Sequence, residues 1–225
     1  MRHPELVIFD CDGVLVDTER VSNQVMVELL AEHGISLSFE ECVAHFIGRS
    51  NAQCLLIAEA LIGQPLPDDF IDVCEARTLA LLGQELRPVP GIEALIAVLR
   101  SPFCVASNGQ REKMRFTLGK TGLLNYFSGK IFCVEDVVLP KPAPDLFLHA
   151  ARSCGAEPAR CVVIEDTPTG VRAARAAGMR AFGFAGLTPA ASLLQAGAEA
   201  VFFSMDELPG LLYGEGSRAG TPGAH

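Results

Sequence analysis

Six short runs of apolar residues constrain this chain more than any other feature. They are "LVIFD" (6–10), "FCVASN" (103–108), "KIFCVED" (130–136), "CVVIED" (161–166), "AFGFA" (181–185) and "AVFFS" (200–204). A strand covered on one face alternates apolar and polar residues, whereas these runs are apolar on consecutive positions, as strands covered on both faces are. Helical patterns at about 91–100, 110–121, 143–154, 168–177 and 189–196 fall between or beside the later runs. Strand and helix alternate, which predicts an α/β fold with a doubly wound (Rossmann-like), mainly parallel sheet.

The interval from Val14 to Pro90 breaks this rhythm. It carries four candidate helices, "VSNQVMVELLAEHG", "SFEECVAHF", "NAQCLLIAEALIG" and "DDFIDVCEARTLALLG". A crossover between parallel strands needs far fewer residues, so the segment reads as an inserted helical subdomain. The expected division is a core of residues 1–15 and 88–213 with an insert of 16–87, and hinges near 14–20 and 84–91, the latter proline-rich ("LRPVPG"). The tail 214–225 is Gly-rich without an apolar pattern, and disorder is expected there.

A chain of 225 residues is long enough for one sizeable core plus such an insert. Its net charge of −9 argues against nucleic acid or an anionic membrane as partner, while leaving room for an anionic small molecule in a local positive pocket. No apolar run approaches a membrane span, and the N-terminus reaches a charged strand end by Asp10, unlike a signal peptide. The eight cysteines are scattered, with no C-x-x-C pair, and several lie in apolar stretches. They read as reduced thiols, and the chain as a cytoplasmic protein.

The polar residues that matter stand just after the predicted strands, where open α/β sheets bind ligands. Asp10 and Asp12 close the first run, separated by Cys11; in extended chain the two carboxylates face one way and Cys11 the other. By itself D-x-D-G reads as a turn, but the buried-type run before it places both acids at a strand end, where one can attack an electrophile and the other protonate a leaving group. Glu165 and Asp166 precede "TPTG", where Thr167 suits a helix N-cap and Pro168 the first helical position; alone, they read as acids favoured by the helix dipole. With Asp10 and Asp12 they form an oxygen-rich set suited to Mg²⁺, which takes one or two carboxylates together with waters and a phosphate oxygen.

Lys141 precedes Pro142 and a predicted helix, whose positive end disfavours a cation. It reads either as a solvated loop residue or as a clamp for a phosphate bound jointly with the helix terminus. Ser107 and Asn108 offer hydroxyl, amide and backbone donors, or ordinary capping of the helix from about 110.

In sequence order, "DCDGVLVD", "VASN" with Ser107, "KPAPD" with Lys141 and "IEDTPTG" resemble the motifs of the haloacid dehalogenase superfamily of phosphotransferases. The helical insert matches that family's small helical cap, and the resemblance covers about residues 5–212. The branch resembles the β-phosphoglucomutase-like phosphatases, and "SNGQREKM" with the stretch through "YFSGKIF" is similar to bacterial 6-phosphogluconate phosphatases. The resemblance implies Mg²⁺-dependent hydrolysis of a small phosphorylated metabolite by a monomer. It implies Asp10 as nucleophile forming an aspartyl phosphate, and Asp12 as acid and then base. Ser107 and Lys141 would bind the phosphoryl group, and Asp10, the Asp12 main-chain carbonyl and Asp166 would hold the metal with Glu165 beside them. Gly48 and Arg49 in "FIGRS" fall where the cap loop meets substrate.

One departure separates neighbouring activities. The branch's sugar-phosphate mutases carry histidine four residues after the threonine of "DT", and Ser22 stands there instead, which favours hydrolysis over mutase chemistry. Phosphonatases need a cap lysine, and residues 14–90 contain none. A phospho-receiver signalling domain shares the acids, hydroxyl and lysine but lacks a helical insert of this size.

Overall fold

The computed structural model describes residues 3–47, 49 and 51–214. The expected tail therefore lies outside the described residues, apart from Gly214. Six strands, β1 (Leu6–Phe9), β2 (Phe103–Ser107), β3 (Ile131–Cys133), β4 (Cys161–Glu165), β5 (Arg180–Phe184) and β6 (Ala200–Phe202), form one parallel sheet in the order β3-β2-β1-β4-β5-β6. The winding direction reverses at β1, so the crevice beyond the ends of β1 and β4 is the natural ligand position.

Both faces of the sheet are covered, which is why its strands read as unbroken apolar runs. Leu6 and Ile8 pack against α7 (Asp145–Ser153) and α8 (Pro168–Ala176) through Leu146, Phe147 and Val171. Val7 and Phe9 pack on the other face against α5 (Ile92–Val98) and α6 (Arg111–Lys120) through Ile92, Leu95, Met114 and Leu118. Helix α9 (Ala190–Gln195) joins the first layer through Leu193.

Helices α1 (Thr18–Glu32), α2 (Phe39–Phe46), α3 (Asn51–Ile62) and α4 (Phe70–Glu85) share a third apolar cluster around Leu30, Cys42, Ala58 and Phe70. A reciprocal capping box starts α2: the Glu41 N–H donates to Ser38 Oγ at 3.1 Å and the Ser38 N–H donates to Glu41 Oε2 at 2.8 Å. The segments that lead into and out of this unit run side by side. Val16 and Pro88 form an antiparallel bridge, the Val89 N–H donates to Leu15 O and the Asp17 N–H donates to Arg87 O. Among the described residues no helix is long and apolar enough to cross a membrane.

Two elements differ from the sequence reading. β3 stops at Cys133, and Val134–Asp136 turn into a 3-10 helix. Asp136 accepts the Cys133 N–H at 2.9 Å and a bond from the Arg111 guanidinium, so a local side-chain acceptor takes the donor that a longer strand would use. A last helix, α10 (Leu208–Tyr213), follows β6, seating Leu208 and Leu212 on the cluster under β1. Its Pro209 and Gly210 mask it in the sequence, although Pro in a first turn costs a helix no internal bond.

Candidate active site

The chain leaves β1 at Phe9, and the Asp10 N–H still donates to Ile164 O at 2.9 Å, carrying the strand pairing one residue further. Asp10 thus sits buried at the mouth of the sheet, while Cys11 packs into the apolar cluster below. Gly13 then turns the chain with a φ of +76°, and a Cβ placed there would lie 2.1 Å from Asp166 Oδ2. Only glycine fits that turn and that approach.

Lys141 reaches the same point from the loop before α7. Its ammonium donates to Asp10 Oδ1 at 2.5 Å and to Glu165 Oε1 at 2.7 Å, and stands 4.6 Å from the centre of the Phe147 ring. Burial alone would lower the lysine's affinity for its proton, but the Asp10 and Glu165 carboxylates outweigh burial and hold it raised. The two carboxylates and the aromatic face thus relieve the unfavourable position ahead of a helix. Asn108 pins this loop: its Oδ1 accepts from the Lys141 N–H at 3.0 Å and its Nδ2 donates to Lys141 O at 3.2 Å. Asn108 therefore holds the Lys141 backbone, and the Lys141–Pro142 peptide there is cis.

Asp10, Glu165 and Asp166 each bring one oxygen within 4.8 Å of the others, and all three are buried. Burial pushes Asp10 up from 3.8 to about 7, with Lys141 opposing and Glu165 adding to the rise. Burial, then Glu165 and Asp10, raises Asp166 well above the carboxylate range. Among the described residues Asp166 Oδ1 is the buried side-chain oxygen without a hydrogen-bond partner. Three clustered hard oxygen donors, one of them orphaned, fit a small divalent cation such as Mg²⁺. Glu165 Oε2 accepts from both the N–H and the hydroxyl of Thr167, at 3.1 and 2.8 Å, and Thr167 Oγ1 in turn caps α8 by accepting the Gly170 N–H at 3.0 Å. The capping role and the place in the acid cluster, alternatives in the sequence, coexist.

Asp12 lies beside this cluster but its carboxylate is engaged elsewhere. Oδ1 accepts from the Thr18 hydroxyl at 2.9 Å and Oδ2 from the Lys113 ammonium at 2.9 Å. Neither partner was singled out in the sequence. Thr18 follows directly from the "VDT" stretch, but Lys113 lies in a helix six residues past Ser107, where a lysine ordinarily reads as a solvated surface residue. Glu19 is also close, raised by burial first and by Asp12 second. Buried Ser107 ends β2, and its Oγ accepts the Gly109 N–H at 3.4 Å.

Asp10, Asp12, Ser107, Lys113, Lys141 and Glu165 open into one cavity of about 950 Å³ between the sheet ends and the four-helix unit, a size suited to a small ligand. The helical side contributes Ser22, Asn23, Arg49, Asn51 and Thr78 to its wall. Arg49 is exposed there, and Gly48 lies outside the described residues. The floor of carboxylates and lysines suits an anionic, phosphorylated molecule, while the helical wall mixes these polar groups with apolar Met26, Phe46, Ile71 and Leu79.

Comparisons with known proteins agree. The family model of haloacid dehalogenase-like hydrolases matches residues 4–178. The 6-phosphogluconate phosphatase of Escherichia coli (strain K12) is 34% identical over 185 residues, 82% of this chain and 84% of that one. The fructose-1-phosphate phosphatase of the same organism is 31% identical over 180 residues, 78% and 93% of the two chains. Among solved structures, a haloacid dehalogenase family hydrolase from Deinococcus radiodurans R1 with bound phosphate and sodium superposes with a TM-score of 0.84, at 34% identity over 94% of this chain and 96% of that one. This chain therefore belongs to the haloacid dehalogenase-like hydrolase family, and within it to the phosphatases.

Proposed function

We propose that the protein hydrolyses a small sugar phosphate or sugar-acid phosphate with Mg²⁺ through an aspartyl phosphate on Asp10, the four helices of residues 16–87 acting as a cap over the site. The observation that carries this reading is the buried Asp10 carboxylate at the sheet mouth, 2.5 Å from Lys141 and clustered with Glu165 and Asp166. Asp10, Glu165, Asp166 and the Asp12 main-chain carbonyl are the groups to hold the metal, whose charge keeps the buried carboxylates ionised and offsets that of the transferring phosphoryl group.

Asp10 attacks phosphorus, and Asp12 gives its proton to the leaving ester oxygen. Ser107 Oγ and the Lys141 ammonium hold the phosphoryl oxygens in line. Asp12, now a base, takes a proton from the water that cleaves the acyl phosphate and frees Asp10. This division of labour is supported by the surroundings of the two acids: Asp10 lies in the carboxylate cluster with Glu165 and Asp166, whereas the Asp12 carboxylate is held outside it by Thr18 and Lys113. General acid–base assistance supplies roughly 10²–10⁴ in rate, and the remainder must come from positioning and charge stabilisation by the other groups.

Hydrolysis is favoured over phosphoryl transfer back to the sugar. Ser22 occupies the position of the mutase histidine, and its hydroxyl donates to Thr18 O at 3.0 Å, offering no proton carrier to the cavity. The substrates of the two Escherichia coli relatives, 6-phosphogluconate and fructose 1-phosphate, are the first candidates, and Arg49 in the cavity wall is the cation to meet a carboxylate of the former.

The test is turnover of a sugar-phosphate panel with Mg²⁺ and with EDTA. Activity should require the metal, and no turnover of any member with Mg²⁺ would overturn the reading. Asp10→Asn should abolish labelling of the protein by a ³²P-phosphorylated substrate; labelling at the wild-type rate would remove Asp10 as nucleophile.

A further inference from the structure

Lys113 stands in the first turn of α6, where the positive end of the helix dipole disfavours a cation. Its ammonium is nonetheless drawn to the cavity wall and held on Asp12 Oδ2 at 2.9 Å. Asp12 lies in the loop after β1, and its two oxygens are gripped from different parts of the molecule. Thr18 is the first residue of α1, in the four-helix unit. Lys113 belongs to a helix seated on the sheet through Met114 and Leu118.

The arrangement matters because proton transfer requires heavy-atom distances near 2.6–3.2 Å. A carboxyl tied only to Thr18 would follow every shift of α1 relative to the sheet, whereas the phosphoryl group is fixed by the sheet-end residues. A second tie, to the sheet side, removes that dependence.

We propose that Lys113 is a positioning residue for the hydrolysis, anchoring Asp12 to the sheet side of the cavity so that it stays in reach of the leaving oxygen. The inference rests on the phosphatase reading with Asp12 as proton donor. In the step concerned, an Asp10 oxygen bonds to phosphorus, the bond from phosphorus to the ester oxygen breaks, and the ester oxygen takes the Asp12 proton. Water then bonds to phosphorus, the Asp10 bond breaks, and a water proton returns to Asp12.

Leaving groups separate this role from a structural one. A sugar alkoxide needs the Asp12 proton, whereas p-nitrophenolate leaves without it. Phosphoryl transfer in a single turnover should be compared for the best sugar phosphate of the panel and for p-nitrophenyl phosphate. Lys113→Ala should lose at least about tenfold on the sugar phosphate, a part of the 10²–10⁴ of acid catalysis, and markedly less on the aryl ester. Lys113→Arg, which keeps a cation of similar reach, should recover most of the loss. Adding Lys113→Ala to Asp12→Asn should slow the sugar phosphate no further. Equal losses on both esters, or additive losses in the double variant, overturn the role of Lys113 and leave the phosphatase reading standing. A wild-type protein that transfers phosphoryl groups from neither ester overturns that reading, and this inference with it.

Discussion

Gly13 is a residue on which the acid cluster depends without belonging to it. Its positive φ bends the chain away from Asp12, and its missing side chain leaves the room that Asp166 occupies. Gly13→Ala should lower stability by about 1–3 kcal/mol from backbone strain alone, more once the clash with Asp166 is added. Denaturant titration measures the first effect, and loss of Mg²⁺-dependent turnover the second. In the sequence, the glycine was legible as a turn residue. Its contact with a residue 153 positions away was not, because a single chain displays no long-range approach. The same limit hid Lys113, whose meaning lies entirely in the carboxylate it meets across the fold. Asp10, Asp12, Ser107, Glu165 and Asp166 could be picked out because each stands at or just past the end of a strand run, and Lys141 because it stands before Pro142 and a predicted helix.

At the scale of elements, α8 joins helix capping to site geometry. Thr167 Oγ1 accepts the Gly170 N–H while donating to Glu165 Oε2, so one hydroxyl starts the helix and orients an acid. Thr167→Ala should cost about 1–2 kcal/mol, the usual loss of a cap, and should also weaken the apparent Mg²⁺ affinity. Thr167→Ser should preserve both, and a pair of denaturation curves with Mg²⁺ titrations of activity would check it. If Thr167→Ala loses stability but keeps wild-type metal dependence, the hydroxyl serves the helix alone. The strands were legible because double burial leaves an unbroken apolar record, as at Cys161–Glu165. The end of β3 was not, since the Asp136 carboxylate that captures the Cys133 N–H looks like any polar residue in a run. Helix α10 was hidden by Pro209 and Gly210, residues that ordinarily mark a break and here lie in its first turn.

For the whole molecule, folding buries negative charge at the point where the winding of the sheet reverses. In the metal-free protein, folded Asp10 and Asp166 keep protons that the unfolded chain has released, since burial raises both. Stability from these groups is therefore fully present below the unfolded value of 3.8 and is lost as pH rises toward and through about 7. Mg²⁺ favours ionised Asp10 and Asp166 and should restore that loss, by about 2.7 kcal/mol when its concentration is a hundred times the dissociation constant. Thermal denaturation should show a larger Mg²⁺-induced rise in Tm at pH 8 than at pH 5, and Asp166→Asn should shrink it. Equal rises at both pH values would place the cation elsewhere.

The paired crossings at Val16 and Pro88 carry a consequence for how such a protein diversifies. The four-helix unit leaves and rejoins the sheet layer through two neighbouring strands of chain, so its two ends are already adjacent. Each doubling of the segment between them adds only about 0.6 kcal/mol of closure entropy. The helices that wall the cavity can thus be lengthened, shortened or replaced while the acids, the lysine and the serine keep their places. Substrate choice and bond-breaking chemistry can be inherited separately, joined at one narrow neck.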